Sequence, residues 1–196
     1  MAPTANNIHL YSTKGSPVTD DVWKCLTCRF SNCTYQENKI QSNFEHVVIH
    51  CKGPAPHHYY LGDIVQGKIA NWTQILVNEE YEDAISEVAL PYVINEAYPL
   101  QQGFEALVKI LLPPDQPSRS SSRSLPVLLK VYAGPGPQQA TDEFSIAYED
   151  YLAASRGYAV VTIDGRGATG RGWKYRSAFY GALGTVEIDD QIEGIR

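Results

Sequence analysis

The sequence has little basic charge and no long apolar run, and each shortage excludes a class of function. Lysine and arginine number 16 against 22 aspartates and glutamates, so the chain offers no basic face for nucleic acid or anionic lipid. No stretch of about 18 consecutive apolar residues is present, so we expect no membrane span in this chain. Residues 1–15 have neither a basic start nor an apolar core, so they do not read as a signal peptide.

Groups for hydrolytic catalysis are also scarce. All five histidines lie between His9 and His58, so the later part of the chain has no general base for a serine. No GxSxG nucleophile elbow is present, and the serines between residues 118 and 124 sit in a polar stretch without a strand-to-helix turn. We therefore expect that this chain by itself does not hydrolyse peptides.

Cysteine is present only between residues 25 and 51. The CxxC pair Cys25 and Cys28 could be half of a zinc site completed by Cys33, Cys51 or His50, but no second CxxC or HxxxH pair supports it. We favour two disulfides, Cys25 with Cys28 and Cys33 with Cys51, although four cysteines allow three pairings. We expect no metal and no cofactor.

Two glycosylation sequons accompany the cysteines. Asn32-Cys33-Thr34 and Asn71-Trp72-Thr73 both fit the acceptor pattern, which matters only in a secretory compartment. Clustered cysteines with sequons and no export signal predict an extracellular protein whose N-terminal part lies outside this chain.

The first 88 residues are predicted to be rich in short strands. Strand-like runs at 9–12, 44–51 and 58–61 are separated by breakers such as the turn at 14–17. Over the whole chain, thirteen tyrosines against one methionine also favour strands. One short helix is predicted over 78–88. This spacing suits a sandwich or a propeller blade.

Residues 89–196 have a different pattern. Strands are predicted at 104–112, 126–132 and 158–164, the last two with the continuous apolar character of a parallel sheet, and an exposed loop at 117–124. A helix is predicted from Asp142 to Arg156, with Thr141 as N-cap and Gly157 as C-cap, and a last helix from Val186 to Arg196. Strand, helix and strand form a βαβ unit.

The motif GxGxxG occurs at Gly165 to Gly170, directly after a predicted strand. It could form a dinucleotide-binding turn, but such a turn normally belongs to the first βαβ unit, and here a strand and a helix precede it. The residues that follow offer no immediate apolar helix. We therefore interpret the glycines as a tight loop at the end of a sheet strand.

Three motifs in this second part are specific enough to suggest a family. The segments VYAGP at 131–135, DGRG at 164–167 and LGTVE at 183–187, the last followed by Asp190-Gln191, resemble the start of the catalytic domain of the dipeptidyl peptidase IV and fibroblast activation protein family. The cysteine pattern upstream resembles the end of that family's β-propeller. The resemblance implies the C-terminal end of a β-propeller (1–88) joined to the N-terminal part of an α/β-hydrolase domain (89–196), both incomplete.

The resemblance also implies a function. Members remove N-terminal X-Pro or X-Ala dipeptides with a serine, histidine and aspartate, usually as homodimers on the extracellular side of the membrane, secreted or membrane-anchored. That triad and the glutamate pair that binds the substrate amino terminus would lie outside this chain. Tyr132 matches the family's oxyanion tyrosine. The alternative is a non-enzymatic binding homologue, but such members lack the tyrosine, so Tyr132 favours an active parent.

Overall fold

The computed structural model describes residues 9–11, 23–28, 30, 32–116 and 124–196. The chain divides into two compact units, which are described separately. Unit 1 comprises Met1–Ile85 with Asp142–Ser145, and unit 2 comprises Ser86–Thr141 with Ile146–Arg196. The domain boundary after residue 88, with its assignment to named domains, stays a prediction.

Unit 1 is built of antiparallel strands. A two-stranded ribbon pairs β1 with β2, and a four-stranded sheet places β3, β4, β5 and β6 side by side in chain order. Helix α1 follows the last strand. The elements are β1 (His9–Tyr11), β2 (Trp23–Cys25), β3 (Tyr35–Ile40), β4 (His46–Gly53), β5 (His58–Val65), β6 (Lys68–Leu76) and α1 (Glu79–Ser86).

Strand β4 supplies the centre of the unit 1 core. Its side chains alternate between the two faces, so Val47 and Ile49 are fully buried while Val48 between them is not. Ile69 of β6 completes this cluster with the ring of Trp72 at its side. The strand begins at His46 rather than at the predicted residue 44, because Phe44 lies in a turn with a φ of 59°.

Unit 2 contains a mixed four-stranded sheet in the order β7, β8, β10, β9. Strand β8 runs antiparallel to both neighbours, whereas β9 and β10 are parallel and joined through helix α2, as the predicted βαβ unit requires. The elements are β7 (Tyr92–Leu100), β8 (Phe104–Leu112), β9 (Val127–Lys130), α2 (Tyr148–Arg156), β10 (Ala159–Asp164), α3 (Trp173–Ser177) and α4 (Val186–Gly194).

Strand β10 is the most buried element of unit 2. All six of its residues are buried, as the continuous apolar run predicted, and Val160 and Ile163 are each 1% exposed. Val160 packs with Leu111 and Ala153, and Ile163 packs into the main cluster of the sheet. Because β10 is held on both faces, the residues at its end have a rigid base.

The start of helix α2 was predicted wrongly. The helix begins at Tyr148, not Asp142, and its N-cap is Ala147, whose N–H donates to the Asp150 carboxylate at 2.8 Å, so Thr141 is not the cap. Residues 142–145 instead join unit 1, where the Phe144 N–H donates to the Lys52 carbonyl at 2.7 Å. These contacts outweigh the local helix pattern.

The remaining predictions have mixed outcomes. Gly157 ends α2 with a φ of 74°, which confirms the predicted C-cap, and α4 begins at Val186 as predicted but ends at Gly194. The turn at 14–17 and the loop at 117–123 lie outside the described residues. No helix in the described part of the chain is long and apolar enough to cross a membrane.

Candidate active site

Tyr132 lies at the carboxyl end of the parallel strand pair in unit 2. Tyr132 lies two residues beyond Lys130, where β9 ends and pairs with Thr162, and so not in the strand predicted over 126–132. Asp164, the last residue of β10, lies the same two residues beyond Thr162. The Tyr132 side chain is 53% exposed, and its ring packs over Gly134, where an added Cβ would lie 3.4 Å from the ring. Ligands of α/β sheets bind at this edge.

A small cleft of about 10 Å³, room for about one water molecule, lies beside Tyr132. Three segments of unit 2 form its walls: the loop that follows β9, the turn that follows β10 and the first turns of α4. We call residues 131–141 the Tyr132 loop and residues 164–170 the glycine turn. The lining residues with polar side chains are Tyr132, Asp164, Arg166, Glu187 and Gln191.

Asp164 joins the glycine turn to the Tyr132 loop. Its Oδ2 accepts hydrogen bonds from the backbone N–H groups of Gln139 and Ala140, each at 2.7 Å. The residue is only 3% exposed, and burial raises the pKa of its carboxyl above the ordinary value of 3.8, against the lowering effect of those two N–H groups. The carboxylate therefore fixes the far end of the loop.

The glycines of the turn allow close approach of neighbouring segments. A Cβ on Gly165 would lie 2.5 Å from the Asp190 carboxylate, and a Cβ on Gly170 would lie 2.7 Å from Oε1 of Gln138. Gly167 has a φ of 96° and accepts a hydrogen bond from the Gly136 N–H at 3.3 Å. These contacts explain the GxGxxG pattern through packing, as the interpretation of a tight loop expected.

Arg166 and Asp190 form a buried ion pair that joins the glycine turn to α4. The guanidinium donates from Nη2 to Oδ1 at 2.6 Å and from Nε at 3.0 Å, and the Arg166 backbone N–H donates to Oδ2 at 2.6 Å. Their exposed fractions are 8% and 0%. The hydrogen bond to Asp190 raises the pKa of Arg166, so the guanidinium stays charged.

Helix α4 places two buried acceptors along the cleft. Oε1 of Glu187 accepts the Gly184 N–H at 2.5 Å, which lowers the pKa of that carboxyl. Nε2 of Gln191 donates to the Ile163 carbonyl at 2.8 Å. Among the described residues, the second oxygen of Glu187 and the side-chain oxygen of Gln191 have no hydrogen-bond partner. Both oxygens can still accept a hydrogen bond.

The cysteine cluster of unit 1 contains disulfides. Cys25 is bonded to Cys28 and Cys33 to Cys51, which are the two pairings that the sequence favoured over zinc. They belong to unit 1, whereas the residues that line the cleft belong to unit 2. The Cys25–Cys28 bond closes a short loop at the end of β2, and the Cys33–Cys51 bond ties the segment before β3 to β4.

The two sequons of unit 1 have exposed asparagines. Asn71 has a φ of 50° at an irregularity of the β5–β6 hairpin, and its Nδ2 donates to Asp63 at 2.8 Å. Asn32 is also exposed. Their glycosylation stays a prediction.

His57 and His58 are neighbours at the start of β5, but they contact different partners. Nδ1 of His57 lies 3.1 Å from Nε2 of His50, and Nε2 of His58 lies 2.9 Å from a Glu82 carboxylate oxygen. Burial, followed by the charges of His57 and Lys52, lowers the pKa of His50. The two neighbouring side chains therefore make separate contacts.

Comparison with known proteins gives consistent matches. A sequence model described as the prolyl oligopeptidase family matches residues 143–196. Dipeptidyl peptidase family member 1 of Caenorhabditis elegans is 33% identical over 198 residues, covering 100% of this chain and 25% of that protein. Prolyl endopeptidase FAP of Homo sapiens is 31% identical, covering 99% of this chain and 25% of its own length.

Comparison with solved structures points to the same relatives. The crystal structure of Porphyromonas gingivalis dipeptidyl peptidase 4 superimposes with a TM-score of 0.80 at 26% identity, covering 97% of this chain and 25% of that one. The chain therefore belongs to the prolyl oligopeptidase family of serine peptidases. Within that family its place is with the dipeptidyl peptidase IV and fibroblast activation protein group, and it spans about a quarter of the length of these relatives.

Proposed function

We propose that this chain is part of a serine-type dipeptidyl peptidase that removes N-terminal X-Pro or X-Ala dipeptides, and that it is inactive by itself. The observation that carries the proposal is the position of Tyr132. Its hydroxyl-bearing ring lies beside a cleft at the carboxyl edge of the parallel strands, in a chain whose relatives are dipeptidyl peptidases.

Tyr132 acts in this proposal as the donor to the oxyanion. A serine attacks the scissile carbonyl while a histidine, oriented by an aspartate, accepts the serine proton, and these three residues come from sequence outside this chain. The carbonyl oxygen becomes negatively charged, and the Tyr132 hydroxyl donates a hydrogen bond to it. One such donor typically contributes about 2.7–4 kcal/mol of transition-state stabilisation.

Several features support the finer domain assignment. The four antiparallel strands of unit 1 have the strand number and order of one propeller blade, and the βαβ unit of the mixed sheet suits an α/β-hydrolase domain. We propose that these units are the end of a β-propeller and the start of a peptidase domain.

The location and assembly follow from the same proposal. The disulfides and the exposed Asn32 and Asn71 favour an extracellular, glycosylated protein, secreted or anchored by sequence outside this chain. Homodimerisation is proposed from the family resemblance.

The test uses the complete protein, obtained by extending the chain along its transcript in both directions, beside the 196-residue chain. We expect a fluorogenic Gly-Pro substrate to be cleaved by the complete protein only. Tyr132→Phe should lower kcat by about 100- to 1000-fold, since it removes one oxyanion donor. Tyr148→Phe, at an exposed tyrosine whose aromatic contact is with Tyr151 on the same helix, is the matched control and should keep full activity.

Two outcomes would contradict the proposal in different ways. A folded complete protein that cleaves neither Gly-Pro nor Gly-Ala substrates would favour the non-enzymatic binding homologue. Full activity of the Tyr132→Phe variant would leave the peptidase assignment intact and remove Tyr132 from the mechanism.

A further inference from the structure

The Tyr132 loop has no regular secondary structure, yet it begins with the residue that the proposed chemistry needs most. No hydrogen bond joins the Tyr132 hydroxyl to a described residue of unit 2, and the side chain is half exposed. The position of the hydroxyl therefore depends on the backbone that carries it. Contacts that hold this backbone in place therefore also determine the position of the oxyanion donor.

The glycine turn supplies the anchors of this loop. Asp164 accepts the N–H groups of Gln139 and Ala140 at 2.7 Å each, and the Gly167 carbonyl accepts the Gly136 N–H at 3.3 Å. Gly170 leaves the space that the Gln138 side chain occupies. The loop is thus held against one turn along residues 136–140.

Asp164 is a rigid anchor because it lies at the end of a buried strand. Asp164 is the last residue of β10, all of whose residues are buried, and Asp190 holds the next part of the turn through Arg166. A buried carboxylate that accepts two backbone N–H groups makes strong, charge-assisted hydrogen bonds. Lys109 holds the end of the loop through the Thr141 carbonyl at 3.1 Å.

We propose that Asp164 is a positioning residue for the oxyanion donor, acting on Tyr132 only through the backbone of the Tyr132 loop. This inference rests on the proposed function, and it assigns a role to the glycine turn that differs from nucleotide binding. In this proposal Asp164 acts through the backbone of the Tyr132 loop and not on the substrate itself, so its removal should affect the transition state and leave substrate binding nearly unchanged.

The kinetic test is a double-mutant cycle in the complete protein. Asp164→Asn keeps the size of the side chain but replaces the charged acceptor, and we expect kcat for a Gly-Pro substrate to fall about 10- to 100-fold with KM within about threefold. In the Tyr132→Phe background the same change should cost less than about twofold, because no oxyanion donor remains to be displaced.

The matched control is Val160→Ala, which opens a cavity in the buried part of β10 without touching the Tyr132 loop. It should lower the melting temperature and leave kcat unchanged. The proposal would be overturned if Asp164→Asn lowered kcat by the same factor in both backgrounds. It would also be overturned if Val160→Ala lowered kcat as much as Asp164→Asn does at a similar loss of melting temperature.

A second measurement does not depend on activity. With 3-fluorotyrosine at position 132, we expect a single ¹⁹F NMR signal in the parent and in Val160→Ala, and a shifted or broadened signal in Asp164→Asn. An unchanged signal in Asp164→Asn would overturn the proposal. A complete protein without peptidase activity would overturn this inference together with the proposed function, whereas a normal Tyr132→Phe effect without coupling to Asp164 would overturn this inference alone.

Discussion

The two units of the chain are stabilised by different means. In unit 1, antiparallel hairpins pair neighbouring segments of the chain, and two disulfides reinforce the start of the sheet around a small core. In unit 2, a buried strand lies at the centre of a mixed sheet, and a buried ion pair joins its end to a helix. The comparison shows why the candidate site belongs to unit 2, since positioned catalytic groups need a rigid base.

The buried ion pair is the non-covalent contact whose loss we expect to cost most. Asp190→Asn leaves the Arg166 guanidinium without its charged partner, and breaking such a pair typically costs about 3–5 kcal/mol. Urea unfolding of the 196-residue chain, with hydrogen exchange of the β10 amides, measures the loss.

Asp189→Asn is the matched control, because Asp189 is the exposed neighbour on the same helix. It should change the free energy of unfolding by less than about 0.5 kcal/mol. Equal losses of unfolding free energy in Asp190→Asn and Asp189→Asn would show that the unit 2 fold does not depend on the ion pair.

Removing the Cys33–Cys51 disulfide should affect unit 1 more than unit 2. The bond closes a loop with a sequence separation of 18, for which chain entropy predicts a stabilisation of about 3 kcal/mol. In the Cys33→Ser, Cys51→Ser variant, hydrogen exchange should accelerate in β4 and remain slow in β10.

Removing the Cys25–Cys28 disulfide tests the same difference between unit 1 and unit 2. Cys25 and Cys28 have a sequence separation of 3, so the loop is shorter and its removal should cost about 2 kcal/mol on the same basis. Equal acceleration of exchange in β4 and β10 after either removal would contradict the separate stabilisation of the two units.

The smallest expected effect is that of a partly exposed ion pair in unit 2. Lys130 Nζ lies 2.7 Å from Glu149, and this hydrogen bond lowers the pKa of Glu149 below its ordinary value of 4.5. Because the folded pKa is lowered, the pair stabilises the fold above that ordinary value and its contribution is lost as the pH falls through the folded pKa.

Glu149→Gln should therefore cost about 0.2–1 kcal/mol at pH 7 and nothing at a pH below the folded pKa. Urea midpoints at the two pH values, in low and high salt, measure this difference. A cost that stays constant with pH would show that Glu149 stabilises α2 by packing and not by charge.

Sequence patterns were most successful where one local signal sufficed. The apolar run of β10, the left-handed cap at Gly157 and the start of α4 at Val186 needed no tertiary information. The glycines at 165–170 were correctly interpreted as a turn because of their place after a second strand. Tyr132 was found through its motif, since nothing in its spacing distinguishes it from other tyrosines.

The misses arise from contacts between distant segments. Residues 142–147 have a helical pattern, but a hydrogen bond from the Phe144 N–H to the Lys52 carbonyl within unit 1 holds Phe144 outside any helix. The antiparallel orientation of β8 beside β10 also has no sequence signal, because buried strands of either orientation have apolar runs.

The structure also brings residues into the cleft that the sequence pattern did not single out for chemistry. Glu187 and Gln191 were noticed only as part of a family motif, and Asp164 only as the end of a strand. Their spacing on α4 places both along the cleft, which becomes visible only when α4 lies beside the end of β10.

The most direct test of the central claim is kcat for a Gly-Pro substrate in the complete protein and its Tyr132→Phe variant, measured side by side with Tyr148→Phe. We predict a loss of about 100- to 1000-fold for Tyr132→Phe alone. Activity of the Tyr132→Phe variant within about threefold of the parent would contradict the assignment of Tyr132 as the oxyanion donor.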